Sequence, residues 1–334
     1  MSILVTGSAG FIGSNFIFEL LSTTDQPVLS LDALTYAGNI ENLKSITASN
    51  HQFIKGNICD LECLETIFST NKISTVYHFA AESHVDRSIL GSDPFIQTNI
   101  VGTHRLLEMS KKYEIEKFVH VSTDEVYGSL TESAPPFTEE HPIKPNSPYS
   151  ASKASSDMLV RSYNETFGLP TIITRCSNNY GPYQFPEKLI PLMIHNAMNN
   201  KPLPVYGTGE NIRDWIYVLD HAQAILAVSE RGNIGEVYNI GGNCELKNID
   251  IVKKIIDLCE ASSDLITFVN DRPGHDFRYA MDNTKITTEC GWLPKMNFED
   301  GLVKTINWYK NNQPWLNNVI SGEYKKYYEE QYSE

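Results

Sequence analysis

Apolar and polar residues alternate along this chain in two rhythms. Short β-branched and aromatic runs at Ser2–Thr6, Val28–Asp32, His51–Lys55, 75–79, 117–122 and 171–175 predict buried strands. Between them lie helical stretches at 14–21, 61–69 and 95–113, and another that begins behind Ser147-Pro148. Asp93-Pro94 and Ser147-Pro148 each read as an N-cap followed by a first-turn proline. After residue 177 the rhythm breaks. Prolines at 182, 186, 191, 202 and 204 and the turn Tyr206-Gly207-Thr208-Gly209 interrupt it. A mixed pattern then returns, with a helix at 220–231, a strand at 236–240, a helix at 249–260 and a last helix marked by Leu302, Ile306 and Tyr309. The tyrosine-rich, charged stretch 324–334 is expected to fray or dock loosely. The pattern predicts an α/β fold, a doubly wound parallel sheet of at least six strands with a smaller, interleaved C-terminal α/β domain. The expected division is 1–177 with 212–240 rejoining it, against 178–211 with 241–330.

The first strand runs into Gly7-Ser8-Ala9-Gly10-Phe11-Ile12-Gly13 and then a helix. Glycines between a strand and a helix let the backbone approach a pyrophosphate at the positive end of the helix and allow close helix-sheet packing. The spacing is G-x-x-G-x-x-G, and its place between strand and helix gives it weight. The second strand ends in Asp32, nineteen residues after Gly13. A carboxylate there accepts from ribose hydroxyls and repels a 2′-phosphate, and no arginine lies between 14 and 50, so the first domain is expected to be a Rossmann domain that binds NAD rather than NADP. Asn57-Ile58 and Phe79-Ala80-Ala81-Glu82-Ser83 fall at strand ends and are expected to line the same crevice.

The 334 residues carry a net charge of −14, with 41% hydrophobic and 10% aromatic content. That composition fits a folded core and disfavours nucleic acid and anionic membranes as partners. No apolar run approaches the ~18 residues of a membrane span, and the N-terminus enters a strand at once, so a cytoplasmic location without a signal peptide is expected. The six cysteines show no metal or disulfide spacing, and His78, His84, His104 and His120 form no ligand pattern, so no metal is expected. Asp86-Arg87 reads as a local ion pair.

Chemistry concentrates between 119 and 153. The strand 117–122 leads into Thr123-Asp124-Glu125, which belong to a loop at the carboxyl edge of the sheet. Adjacent strand residues point to opposite faces, so both carboxylates can serve one substrate only if the strand has ended. Tyr149 and Lys153, four apart on a helix, share a face, and the ammonium is expected to lower the phenol's pKa toward working pH. In the second half, Asn178-Asn179, Glu187-Lys188, Arg213 and Arg272-Pro273-Gly274-His275-Asp276 sit in loops where a second ligand would need polar groups. Lys188, Arg213 and Arg272 are candidates to neutralise a diphosphate.

Gly7 to Gly13, Asp32 and Tyr149/Lys153 resemble the extended short-chain dehydrogenase/reductase superfamily. The runs from Phe79 to Ser88, Ser122 to Gly128, Arg175 to Pro182, Gln184 to Leu189, Arg213 to Trp215 and Asp271 to Asp276 are similar to those of the dTDP-glucose 4,6-dehydratase family, with the Thr-Asp-Glu triplet the discriminating piece. The resemblance implies an NAD-dependent lyase that oxidises the sugar at C4, eliminates water across C5 and C6, and returns hydride to C6. In that scheme Tyr149 is the base at the 4-hydroxyl, Thr123 holds the 4-oxygen, Glu125 takes the C5 proton, Asp124 protonates the departing 6-hydroxyl and Lys153 supports Tyr149. It also implies that Leu34, Thr35, Thr98 and Asn179 join the cofactor set. The nucleotide sugar would be held by Ser83, Asn178, Glu187, Lys188, Leu189, Pro204, Val205, Tyr206, Arg213, Asn248, Arg272 and His275, and two copies would pair as a homodimer through the helices near 95–113 and 149–167. The rival readings are a 4-epimerase or UDP-glucuronate decarboxylase on the same scaffold, for which the paired carboxylates are surplus, and a non-catalytic NAD-binding regulator.

Overall fold

The computed structural model describes residues 1–320. The expectation for 324–334 lies outside them. Seven parallel strands form the main sheet: β1 (Ser2–Thr6), β2 (Val28–Asp32), β3 (His51–Lys55), β4 (Ile73–His78), β5 (Lys117–Thr123), β6 (Thr171–Cys176) and, after three strands elsewhere, β10 (Val237–Ile240). Their order is β10-β6-β5-β4-β1-β2-β3, so the winding reverses between β1 and β4. Side chains alternate across each strand. Ile3 and Val5 pack with Phe16, Ile17, Ile225 and Val228 of the Phe11–Thr23 and Val218–Arg231 helices. Leu4, between them, joins Leu64, Phe68, Leu106 and Val160 on the opposite face. Burial on both faces is why these strands read as near-continuous apolar runs.

The remaining strands, β7 (Asn178–Tyr180), β8 (Leu203–Tyr206), β9 (Ile212–Tyr217), β11 (Glu245–Lys247) and β12 (Ile266–Val269), form a three-stranded sheet β11-β9-β7 and a parallel pair β12-β8. The segment 212–217 thus lies in the three-stranded sheet, and the chain returns to the main sheet through the following helix and β10. A separate core of Tyr180, Ile190, Leu203, Trp215, Val252, Leu302, Tyr309 and Trp315 underlies this half. Four of these strands, only three or four residues long, carry no alternation that a sequence reading can detect, and β8 contains a proline. The Gln313–Ile320 helix also had no clear sequence signal.

The expected single helix over 95–113 is interrupted: Ile96–Gly102 is a π-helix, followed by an α-helix at Thr103–Lys112. Within this wider turn Asn99 receives a hydrogen bond from the Glu82 N–H at 2.9 Å and donates to the Glu82 carbonyl at 3.0 Å. The π-turn thereby holds the backbone of the loop that follows β4. Among the described residues no helix is long and apolar enough to cross a membrane.

Candidate active site

A cavity of about 300 Å³ opens where the strand order reverses, at the carboxyl ends of the strands. Its floor is the first glycine turn. Gly7 takes φ +67°, and a Cβ there would stand 2.6 Å from the Ala80 nitrogen; one at Gly13 would stand 2.1 Å from the Gly7 carbonyl oxygen. Gly10 caps the Phe11–Thr23 helix without a side-chain partner, and no acid occupies its first turn. The result is bare backbone amides at a positive helix end, shaped for a diphosphate. Asp32 accepts from the Ala9 N–H at 2.9 Å and the Leu34 N–H at 2.8 Å. These bonds fix the carboxylate at the lip of the cavity, where a ribose diol would meet it. The donor set and the absence of room for side chains fit a dinucleotide.

The reactive end lies at the close of β5. That strand stops at Thr123, and a 3₁₀ turn, Asp124–Tyr127, follows at once. The strand's end lets both carboxylates face the cavity. Thr123 Oγ1 donates to Asp124 Oδ1 at 3.1 Å and accepts from the Glu125 N–H at 3.3 Å. The Pro148–Phe167 helix, capped by Ser147 through a reciprocal pair with Ser150, brings Tyr149 and Lys153 to the same wall.

The two acids sit in opposed environments. Burial pushes the Asp124 carboxyl far up, the neighbouring Glu125 charge adds to this, and its Oδ2 has no hydrogen-bond partner. Glu125 is also raised by burial, but Arg272, Lys188 and Arg213 pull it back toward the charged form. One carboxyl therefore favours keeping its proton while its neighbour is held nearer ionisation. The expected effect of Lys153 on Tyr149 is not what the structure shows. Burial, then Glu125, raises the Tyr149 phenol well above its ordinary value, while Lys153 Nζ donates to the Val121 carbonyl at 2.8 Å. Burial lowers Lys153 itself to about 8, with Asp157 one turn further along the helix opposing the fall. The local Asp86-Arg87 pair is also absent: Arg87 reaches Glu187 at 3.3 Å and Asp86 reaches Arg272 at 3.2 Å. Both partners lie in the second half of the chain, which the sequence spacing could not indicate.

A profile described as GDP-mannose 4,6 dehydratase matches residues 4–305. The dTDP-glucose 4,6-dehydratase of Salmonella typhimurium is 52% identical, and the match covers 99% of each chain. The chain belongs to the dTDP-glucose 4,6-dehydratase family. A crystal structure of a family member from Streptomyces venezuelae, solved with NAD bound, superposes with a TM-score of 0.93 at 45% identity, over 96% of this chain and 100% of that one. The scaffold is wider than the dehydratases: UDP-glucose 4-epimerase of Thermotoga maritima, solved with UDP-glucose, reaches 0.88 at 32% identity, over 94% and 100%. The fold alone therefore does not separate the two activities.

Of the residues expected for a dehydratase-family site, Thr123, Asp124, Glu125, Tyr149 and Lys153 all line the cavity, as do Ser83, Asn178, Glu187 and Lys188. So do Gly7, Gly10, Phe11, Ile12, Gly13, Asp32, Thr35, Asn57, Ile58, Phe79, Ala80, Ala81, Thr98 and Asn179. Leu34 does not; with φ +53° it serves the turn that presents Asp32. Leu189, Pro204, Val205, Tyr206, Arg213, Asn248, Arg272 and His275 also lie outside the lining. Tyr206 and Arg272 meet on Asp86, at 3.1 and 3.2 Å, and His275 Nδ1 is 2.6 Å from Asp271 Oδ1. Arg213 donates to the Asp276 carbonyl at 2.9 Å and stacks over Tyr279. These groups form the adjoining wall whose positive charge acts on Glu125. Sequence reasoning missed Gly38, Gly56, Ser122, Cys176, Gln184 and Phe185 as lining residues. Ser122, Cys176, Gln184 and Phe185 lie inside runs that carried the family resemblance, which was the available signal.

Proposed function

We propose that the chain dehydrates dTDP-glucose to the 4-keto-6-deoxy sugar nucleotide, using NAD bound along Gly7 to Gly13 and Asp32. The carrying observation is the acid pair lining the cavity beside the Tyr149 phenol, both carboxyls raised by burial, with three cations opposing the rise at Glu125 and the Glu125 charge adding to it at Asp124. When bound, NAD supplies the acceptor for hydride from C4, the same hydride for C6, and a cationic ring that favours the Tyr149 phenolate. Tyr149 takes the 4-hydroxyl proton, and Lys153 adds positive charge to the same wall. Thr123 turns its single hydroxyl proton from Asp124 to the 4-oxygen and steadies it there. A ketone at C4 acidifies the C5 proton, and ionised Glu125 removes it; after exchange with solvent Glu125 returns a proton to C5 as C6 takes the hydride. Asp124, still protonated, gives its proton to the departing 6-hydroxyl, so the 6-oxygen leaves as water. The cations at Lys188, Arg213 and Arg272 then serve twice, neutralising the substrate diphosphate and keeping Glu125 ionised.

Turnover in deuterium oxide tests this. The expected product is a 4-keto sugar with solvent deuterium at C5; a C4 epimer without that label would establish epimerisation instead. We also propose a cytoplasmic homodimer paired through the helices near 95–113 and 149–167, with the helix Val85–Leu90 beside them. Leu90 is 73% exposed and Phe167 54%, and Ile89, Ile96 and Met158 add to this apolar surface. Sedimentation at one-chain mass would refute the dimer.

A further inference from the structure

The last described helix, Gln313–Ile320, reaches from the second half of the molecule to the 3₁₀ turn Ile40–Leu43 beside the first glycine turn. Trp315 is buried among Tyr183, Trp308 and Tyr309, and its indole N–H donates to Asn42 Oδ1 at 2.7 Å. Asn42, 1% exposed, donates through Nδ2 to the Ala9 carbonyl at 2.8 Å. The Asn39 N–H reaches the same carbonyl at 3.0 Å, and the Ala9 N–H is held by Asp32 at 2.9 Å.

The chemistry of this relay is directional. An indole N–H only donates and a backbone carbonyl only accepts, so Asn42 must present oxygen to Trp315 and nitrogen to Ala9. The amide orientation is thereby fixed by its two neighbours rather than left open. Neither Asn39, Asn42 nor Trp315 lines the cavity, whereas Gly10 and the amides after it do. The Ala9 oxygen is thus drawn away from the place where a diphosphate would lie. A carbonyl turned the other way would set a partial negative charge against the phosphates.

We infer that Trp315 and Asn42 are positioning residues for cofactor retention: they lock the Ala9–Gly10 peptide with its oxygen outward, and so keep the glycine turn in its anion-binding form. This rests on reading the cavity as the NAD site. It gives the second half of the chain a hold on the cofactor through a helix remote from the reacting groups. An enzyme that restores its NAD in each turnover gains from such a hold, because loss of the cofactor between its two hydride transfers would strand the keto sugar.

The test uses the purified holoenzyme and two variants. Trp315→Phe keeps most of the ring packing and removes the N–H. Asn42→Asp still accepts from the indole but cannot donate to Ala9, and it brings a negative charge toward the diphosphate. Release of NAD into a trapping mixture is expected to be about threefold to tenfold faster for Trp315→Phe, the scale of one neutral buried hydrogen bond, and faster again for Asn42→Asp. ADP-ribose, which retains the diphosphate, should lose affinity in parallel, while adenosine, which lacks it, should bind as before. Wild-type release rates in both variants, or equal weakening of adenosine, would overturn the relay. A wild-type chain that binds no NAD would overturn the cofactor reading itself.

Discussion

Replacing Glu125 with Gln removes one base and little else. The hydrogen bond that seats this residue comes from its backbone N–H to Thr123 Oγ1, at 3.3 Å, and survives the change. Loss of the charge relieves both neighbours it burdens, since Glu125 is the second cause of the raised values of Asp124 and Tyr149. Oxidation at C4 should therefore proceed, whereas abstraction of the C5 proton loses its acceptor. A general base is worth about 10²–10⁴ in rate, or about 3–5.5 kcal/mol of barrier. Mixing the variant holoenzyme with dTDP-glucose should produce the near-ultraviolet absorbance of reduced nicotinamide, and that signal should persist. Solvent deuterium should enter C5, and keto product appear, at least about a hundredfold more slowly than in the wild type. Product formation within tenfold of the wild-type rate would remove Glu125 from the elimination. Failure to reduce the nicotinamide at all would move its role to binding or oxidation.

Tyr149→Phe should slow the first oxidation by about 10²–10⁴ in a single turnover, and an unchanged rate of cofactor reduction would exclude the phenol as base. Burial brings Lys153 down to about 8, and its charged form is the useful one, so kcat/KM is expected to fall as pH rises through about 8; a flat profile from 7 to about 9.5 would refute this. The sign for stability is the reverse: the folded value lies below the ordinary 10.5, so between the two the unfolded chain binds more protons, and this group's destabilising effect fades as pH rises. Gly13→Ala would place a methyl 2.1 Å from the Gly7 oxygen, a backbone clash whose cost of about 1–3 kcal/mol outweighs the ~1 kcal/mol gained in helix propensity. The melting temperature and NAD content should both drop, and a variant that melts like the wild type would show that the turn can shift.

The sequence alone determined what is settled within a few neighbouring residues. Burial of both sheet faces made β1, β2 and β5 near-continuous apolar runs, the close glycine turn left room for no side chain at Gly7 or Gly13, and Ser147-Pro148 marked where the Tyr149 helix begins. Local geometry of this kind depends on spacing, and spacing is visible in one dimension. The triplet Thr123 to Glu125 was legible for the same reason: a strand end fixes where neighbouring side chains can point. Only the tertiary structure decided which charges meet. Asp86 and Arg87 are chain neighbours, yet they pair with Arg272 and Glu187, and Trp315 answers Asn42 from the far end of the chain. The split between Asp124 and Glu125, and the upward push on Tyr149, come from burial and from cations on other segments. Proton affinity depends on distance through space and on loss of solvent, and neither quantity is written in the order of residues along the chain.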